Sequence, residues 1–453
     1  MEKKKSAVKK NPPQAPKGMR DIIGDEFYSY QGFFEKSAEI AEYYGFKPIE
    51  TPILEETDVF MSGVGEGTDI VEKEMYSLKT KGGDQLTIRP EGTSPVMRAY
   101  IEHGMQSLPQ PIMLYYYGPF LRHEKPQRGR FRELRQFGLE ILGTDKSIAD
   151  AMIINTTMIA LKEAGLTNLS VQINSIGDKS CRGSYRRDLV NYYKKHQNEI
   201  CKDCKARMKT NPLRLLDCKD PKCQPIKEKA PLSVSFLCDE CKQHFKEVLE
   251  YLEILGIEYQ INNNLVRGID YYTRTVFEIV SKIENRPAGE TTPEGEIKQE
   301  NQEEKTGTTL LAIAAGGRYD YLAKSLGSKK DVPGIGVGIG VDRVVMTNGF
   351  EPIMPKTIKK PKFYFIQLGF SAKLKSLSII EILRRSKVGV MHSLSKDSLS
   401  GQLGTAEKLK IPYAIILGQK EVLDGTVIVR NMDDRSQEEI KLDKLAEYIK
   451  KLK

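Results

Sequence analysis

Six basic side chains, Arg122, Lys125, Arg128, Arg130, Arg132 and Arg135, fall within one stretch, GPFLRHEKPQRGRFRELRQFG (118–138), between two apolar, aromatic-rich runs. Guanidinium groups at that density suit a ligand with several anionic oxygens, because their planar donor forks match carboxylate and phosphate geometry. Two other stretches carry arginines beside groups that could shape a pocket. LVRGIDYYTRTVFEIV (265–280) holds Arg267 next to Tyr271 and Tyr272, and GIGVGIGVDRVVM (334–346) alternates glycine with Ile and Val before Arg343. RPEGTSPVMRAY (89–100) adds Glu91, Gly92 and Thr93, two polar side chains at a strand-to-helix junction marked by Pro90 and Gly92. The seven cysteines all lie between Cys181 and Cys241, with Cys201/Cys204 and Cys238/Cys241 in the C-x-x-C spacing of a structural zinc site. Cys218 and Cys223 are further ligand candidates, and free buried thiols are the alternative.

The elements that must position these groups follow from the apolar pattern. PIMLYYYGPFLRHE and FRELRQFGLEILG alternate, and the polar KPQRGR between them makes a long antiparallel hairpin. On its second strand Phe137, Leu139 and Ile141 share one face, while Gln136, Gly138 and Glu140 share the other. Gly138 then leaves room for a ligand to lie on the sheet, and the glycines at 334, 336, 338 and 340 do the same on a second strand. Strand alternation across Tyr271 and Tyr272 predicts opposite faces, so that at most one of them touches a ligand. Phe27, Tyr30, Phe34, Ala38, Ala41 and Tyr44 recur at helical spacing up to Gly45, which predicts a helix. The segment from about 175 to 260 is an inserted helical subdomain, and the polar, acidic 284–308 a disordered loop. After a Pro- and Lys-rich linker at 351–361, strands alternate with helices over 362–453, an α/β domain.

Composition bounds the class. A chain of 453 residues with 39% apolar and 29% charged residues has the make-up of a soluble globular protein of two or three domains. No apolar run reaches the roughly 18 residues of a membrane span. The lysine-bearing start, residues 1–18, lacks an apolar segment and is expected to be a disordered tail rather than a targeting signal. Together with clustered rather than dispersed cysteines, this points to the cytoplasm. The formal charge of +9 is uneven: residues 361–453 hold 17 Lys or Arg against 11 Asp or Glu, which suits a polyanion partner.

On these stretches the chain resembles the class II aminoacyl-tRNA synthetases, and within them the histidyl-tRNA synthetases, from residue 18 onward. Three class-wide signatures occur in order: KPIETPILEETDVF with Pro52, the stretch around Arg122, and the one ending on Arg343. RPEGTSPVMRAY and LVRGIDYYTRTVFE narrow the resemblance to the histidine-specific members. It implies an α+β catalytic core (19–350) with a mostly antiparallel sheet flanked by helices, and an anticodon-binding domain at 362–453. The implied reaction activates L-histidine with ATP and Mg2+ and transfers it to the 3′ end of tRNA(His). In that reading Arg122 bridges the carboxylate and the α-phosphate, Arg267 stands at the α-phosphate, and Arg343 meets the ATP tail. Glu91 and Thr93 take the α-ammonium, Gln136 contacts the substrate, and Glu140 with Tyr271 or Tyr272 satisfies the imidazole nitrogens. Lys125, Arg128, Arg130 and Arg132 belong to the loop that reaches the tRNA acceptor end, and Pro52 to a homodimer interface. Two positions depart from the family pattern: Asp342 replaces the usual Glu, and Ala315 the usual Gly. The rival is a non-catalytic regulatory subunit of ATP phosphoribosyltransferase, which shares the core without the anticodon domain.

Overall fold

Helix α1 (Asp25–Tyr43) opens with Asp25 and Glu26, carboxylates at the positive end of the helix dipole, and buries Tyr30, Phe33, Ile40 and Ala41. Its buried stripe is rotated from the one read off the spacing, and Phe27 is exposed. The structure, a computed structural model, describes residues 12–65, 67–126, 129–283, 309–356, 361–394 and 397–452. The loop 284–308, Arg128 and residues 1–11 of the basic tail lie outside the described residues.

From α1 the chain runs through β1 (Lys47–Pro48), β2 (Leu54–Glu56), α2 (Thr57–Val64), β3 (Tyr76–Lys79) and β4 (Gln85–Ile88), with β2, β4 and β3 forming a small antiparallel sheet. Helix α3 (Thr93–Glu102) follows, and the hairpin strands β5 (Ile112–Leu121) and β6 (Glu133–Leu142) pair in register over ten residues each. Helix α4 (Ser147–Glu163) leads to β7 (Leu169–Ser175) and then to the helical insertion: α5 (Lys179–Lys195), α6 (Lys202–Thr210), α7 (Gln224–Glu228) and α8 (Asp239–Ile254). Strands β8 (Tyr259–Ile261), β9 (Thr273–Ile283) and β10 (Thr309–Arg318), helix α9 (Leu322–Ser325), strand β11 (Gly334–Gly340) and helix α10 (Val341–Met346) complete the first unit.

The central sheet has the order β1-β5-β6-β11-β10-β9-β7-β8; its two edge pairings are parallel and the five between them antiparallel. Strand alternation sends Phe137, Leu139, Ile141, Ile335, Val337 and Ile339 to one face, where they pack with residues of α1, α4 and α8. The other face carries Tyr116, Phe120, Tyr271, Tyr272 and Tyr319 and meets Tyr185, Leu189 and Cys204 of the insertion. Within the insertion, α8 sends a helical face, Phe245, Val248 and Leu252, into the main core, and Val234 packs against it.

Residues 356–453 form a separate unit. Its strands β12 (Phe363–Gln367), β13 (Val390–His392) and β14 (Tyr413–Leu417) are parallel, and β15 (Thr426–Asn431) and β16 (Gln437–Lys441) continue the sheet antiparallel in the order β13-β12-β14-β15-β16. Helices α11 (Phe370–Arg385) and α14 (Leu445–Lys451) cover one face through Ile379, Leu383 and Ile449, and α12 (Leu399–Lys408) the other through Ala406. Helix α13 (Gln419–Asp424) links β14 to β15.

One ionic network ties the sheet to its helices. Arg318, at the end of β10 and fully buried, donates to Asp150 of α4 at 2.8 Å, to Asp320 at 3.0 Å and to the carbonyls of Thr144 and Lys146 at 3.1 and 3.0 Å. His244 of α8 lies 3.1 Å from the same Asp150. Removing one partner of a buried pair strands the other charge, so Arg318→Met is expected to cost about 3–5 kcal/mol. The measurement is the urea midpoint of the first unit, and an unshifted midpoint contradicts the assignment.

Candidate active site

A cavity of about 230 Å³ opens on the tyrosine-bearing face of the central sheet. Four segments distant in sequence supply its walls. The N-terminus of α3 gives Glu91, Gly92 and Thr93; the hairpin gives Tyr116, Arg122 and Gln136; residues 267–278 give Arg267, Tyr271, Tyr272 and Glu278; and β10, β11 and α10 give Ala315, Gly338 and Arg343. The arginines named from the sequence as substrate-facing, 122, 267 and 343, therefore converge on one space.

Each guanidinium there has a fixed support. Arg122 Nε donates to the Pro90 carbonyl at 2.7 Å. Arg343 donates to the carbonyls of Ala312 at 2.5 Å and Gly129 at 3.3 Å. Arg267 is bonded to Glu278, and Arg130 to Glu124 at 2.5 Å. Burial, and then the neighbouring Arg130, hold the Arg343 pKa below the usual arginine value. For Arg267 burial acts the same way, but Tyr272 and Glu278 outweigh it and raise the value overall. Four carboxylates, of Glu91, Glu124, Glu278 and Asp342, line the cavity beside its arginines, and Glu124 and Glu278 are paired with Arg130 and Arg267.

Of the loop cations, Arg130 lines this cavity. Lys125 is exposed, and Arg132 donates to the Glu124 and Lys17 carbonyls at 3.2 and 3.4 Å. Lys17 and Gly18, placed in the tail by the sequence, are held there against the hairpin tip, where the Arg132 N–H donates to the Gly18 carbonyl at 2.8 Å.

Glu140 stands behind the wall rather than on it. It is fully buried, and its carboxylate accepts from Thr93 Oγ1 at 2.8 Å, Tyr116 OH at 3.3 Å and Tyr319 OH. Burial pushes its pKa up to about 8 although the Tyr319 and Thr93 hydroxyls pull it down, and the nearby Glu91 adds to the rise. Burial, and then Glu140, likewise keep the Tyr116 and Tyr319 phenols well above their ordinary range. Glu91 caps α3, accepting from the backbone N–H groups of Thr93 at 2.7 Å and Ser94 at 2.9 Å, and Tyr271 OH reaches it at 3.4 Å.

Three expectations need correction. The room above Gly138 is not free: Tyr116 sits opposite it across the hairpin, and a Cβ at Gly138 would overlap the Tyr116 ring. The glycine strip of β11 is likewise half filled by the protein's own groups, with the Tyr319 ring over Gly334 and the Glu140 carboxylate over Gly336; Gly338 and Gly340 alone reach the cavity. Tyr271 and Tyr272 do not point apart. They precede β9 in a turn, their rings lie 4.7 Å apart, and both line the cavity, because period-two alternation holds only inside a strand. Third, Cys201, Cys204, Cys238 and Cys241 are not one set: Cys201 and Cys204 gather with Cys218 and Cys223, and Cys238 and Cys241 with Asp178 and Cys181. A C-x-x-C pair fixes two sulfurs on one helical turn and leaves open which other residues meet them.

The sequence reading passed over Tyr116, Glu124, Glu278 and Tyr319. Tyr116 had a signal, being the cross-strand neighbour of Gly138; Glu278, opposite Ala315 on β10, had none without the pairing register. The two departures noted above are accommodated. Asp342 accepts from Tyr30 OH at 2.9 Å and from the Arg135 N–H at 2.6 Å, so the shorter carboxylate is satisfied by the fold, and Ala315 lines the cavity.

A family model described as histidyl-tRNA synthetase matches residues 18–178, and one described as an anticodon-binding domain matches residues 362–452. The histidine–tRNA ligase of Caldanaerobacter subterraneus is 39% identical over 440 residues, which cover 96% of this chain and 99% of that protein. The histidine–tRNA ligase of Dehalococcoides mccartyi is 37% identical, covering 97% and 99%. Among solved structures, that of apo S. aureus histidyl-tRNA synthetase is similar with a TM-score of 0.76 and 30% identity, covering 97% of this chain and all of that one.

The Glu140 environment sets a pH dependence. Because its folded pKa lies above the ordinary carboxylate value, the folded chain keeps a proton that the unfolded chain releases, and stability from this group is lost as pH rises from about 4.5 to about 8. Glu140→Gln removes that loss. The difference in melting temperature, variant minus parent, is expected to rise between about pH 5 and about pH 9; a constant difference contradicts the buried-carboxyl account.

Proposed function

Since the chain belongs to the histidyl-tRNA synthetase family, we propose that this cavity joins L-histidine to ATP as histidyl-adenylate and passes the histidyl group to the 3′ end of tRNA(His). The observation that carries the proposal is the convergence of Arg122, Arg267 and Arg343 on one cavity that also holds Gln136, three tyrosines and a helix-capping carboxylate. A histidine carboxylate oxygen must approach the α-phosphorus while pyrophosphate departs, and two anions come together only where fixed cations offset their repulsion.

Arg122 and Arg267 would take the carboxylate and the α-phosphate, and Arg343 the outer part of ATP. Glu91 and Thr93 would receive the α-ammonium, with Gln136 against the substrate. Tyr271 and Tyr272 form the wall beside the imidazole, and the Thr93–Tyr116–Glu140–Tyr319 cluster its polar end. A carboxyl that stays protonated near neutrality suits a neutral imidazole, because no bare charge is buried before the ligand arrives. Mg2+ would be held by Glu124 and Glu278, the lining carboxylates whose partners are arginines rather than backbone groups, and it would offset charge on the departing phosphates. Lys125 and Arg132 at the hairpin tip, with Arg128 and Arg130 of the same stretch of sequence, would meet the acceptor end of the tRNA, and the unit at 362–453 its anticodon arm. Exposed Ile53 and Leu54 beside Pro52 support a homodimer, and the cytoplasm is its expected compartment.

A regulatory subunit of the phosphoribosyltransferase type is not favoured. The anticodon-binding family model matches residues 362–452, and curated ligases align along 96% or more of the chain.

Histidine-dependent exchange of pyrophosphate into ATP tests the proposal. Arg267→Ala is expected to lower exchange by at least about 10²-fold, the usual effect of removing one preorganised donor, while tRNA binding stays within about twofold. Unchanged exchange in the variant contradicts the role given to Arg267, and no exchange in the parent contradicts the activity.

A further inference from the structure

All seven cysteines of the chain fall into two four-ligand sets, with one aspartate completing the second. Small apolar thiols packed as core filler have no reason to converge by fours. In each set the ligand atoms lie within 4.8 Å of one another, and three of the four residues are buried. A tetrahedral zinc with Zn–S near 2.3 Å separates its sulfurs by about 3.8 Å. Cys201 Sγ and Cys218 Sγ are 3.9 Å apart, and Cys181 Sγ lies 3.5 Å from Asp178 Oδ1. The first spacing is far beyond the roughly 2.05 Å of a disulfide, and all seven thiols are free.

The surroundings suit bound metal as well. Backbone N–H groups donate to the sulfurs, Cys204 to Cys201 at 3.4 Å, Cys201 to Cys223 at 3.2 Å and Asp178 to Cys181 at 3.4 Å, the outer contacts that hold thiolate ligands in place. The segment from Cys201 to Cys223 consists of a nine-residue helix and two short 3-10 turns. So little regular structure needs a cross-link. The second set joins the N-terminus of α5 to that of α8. Arg274 reaches Asp178 at 3.5 Å, and Arg182, one residue beyond Cys181, donates to the Tyr272 carbonyl. That set therefore lies behind the tyrosine wall of the cavity.

We propose that the inserted segment binds two structural zinc ions, one on Cys201, Cys204, Cys218 and Cys223 and the other on Asp178, Cys181, Cys238 and Cys241. Both sites are closed, with four protein ligands and no position for water or substrate, so the metal braces the insertion and takes no part in the reaction. Neither site depends on the activity proposed above.

Metal analysis of the full-length protein, purified in reductant without chelator, is expected to return two zinc ions per chain, falling to one in Cys204→Ser and to one in Cys241→Ser. Should either variant fail to fold, cadmium-loaded parent protein supplies the second reading: two cadmium resonances, one from an all-sulfur and one from a mixed sulfur and oxygen environment. A single zinc per chain, iron in place of zinc, or a metal-free folded protein whose seven thiols react as fast before chelator as after it would each overturn the proposal.

Discussion

Four guanidinium groups, of Arg122, Arg130, Arg267 and Arg343, share one cavity with four carboxylates, of Glu91, Glu124, Glu278 and Asp342, and holding these charges in fixed places is the constraint around which the first unit is arranged. Without substrates the protein's own groups hold each of them in place. Backbone carbonyls of Pro90, Ala312 and Gly129 hold two of them, and Glu124 and Glu278 hold the other two. These supports come from the hairpin, from the strand-to-helix junction before α3 and from adjacent strands of the central sheet. Register between strands is therefore what brings the cations together, and a slip of one residue would turn Gln136 and Glu140 into the opposite core.

Behind one wall of the same cavity the constraint is reversed. Glu140 is buried with three hydroxyl donors and no cation, and its affinity for a proton rises accordingly. The glycines at 138 and 336 make this possible, since a side chain at either would collide with Tyr116 or with Glu140 itself. Guanidinium donors for anions and, behind the wall at Thr93 and Tyr116, a hydroxyl-bonded carboxyl for an uncharged ring fit an amino acid with an imidazole side chain.

Much of this was legible in the sequence, for reasons that differ by element. Alternation on the second hairpin strand, Phe137, Leu139 and Ile141 against Gln136, Gly138 and Glu140, specifies the strand because the two faces of the sheet bury different kinds of group. The motif resemblance implies one site for Arg122, Arg267, Arg343, Gln136 and Glu91, and all five line one cavity. What stayed hidden depends on which side chain fills a space. A glycine in a strand announces a close approach but not its partner; at Gly138 the partner is the protein's own tyrosine. The turn at Asp270–Tyr272 broke an alternation that looked continuous. The cysteine spacing gave pairs whose grouping depends on how the helical insertion folds back. The depth of Glu140, behind rather than on the wall, required the packing of Thr93, Tyr116 and Tyr319 around it.

The central claim is that the arginines gather a histidine carboxylate against the α-phosphorus of ATP. Histidine carrying heavy-oxygen label in its carboxylate tests this directly, with AMP recovered after charging of the tRNA and weighed by mass spectrometry. Attack at the α-phosphorus leaves one labelled oxygen in each AMP. Unlabelled AMP, or label recovered in phosphate or pyrophosphate, would mean that the bond forms elsewhere and that the arginines do not act as their convergence implies.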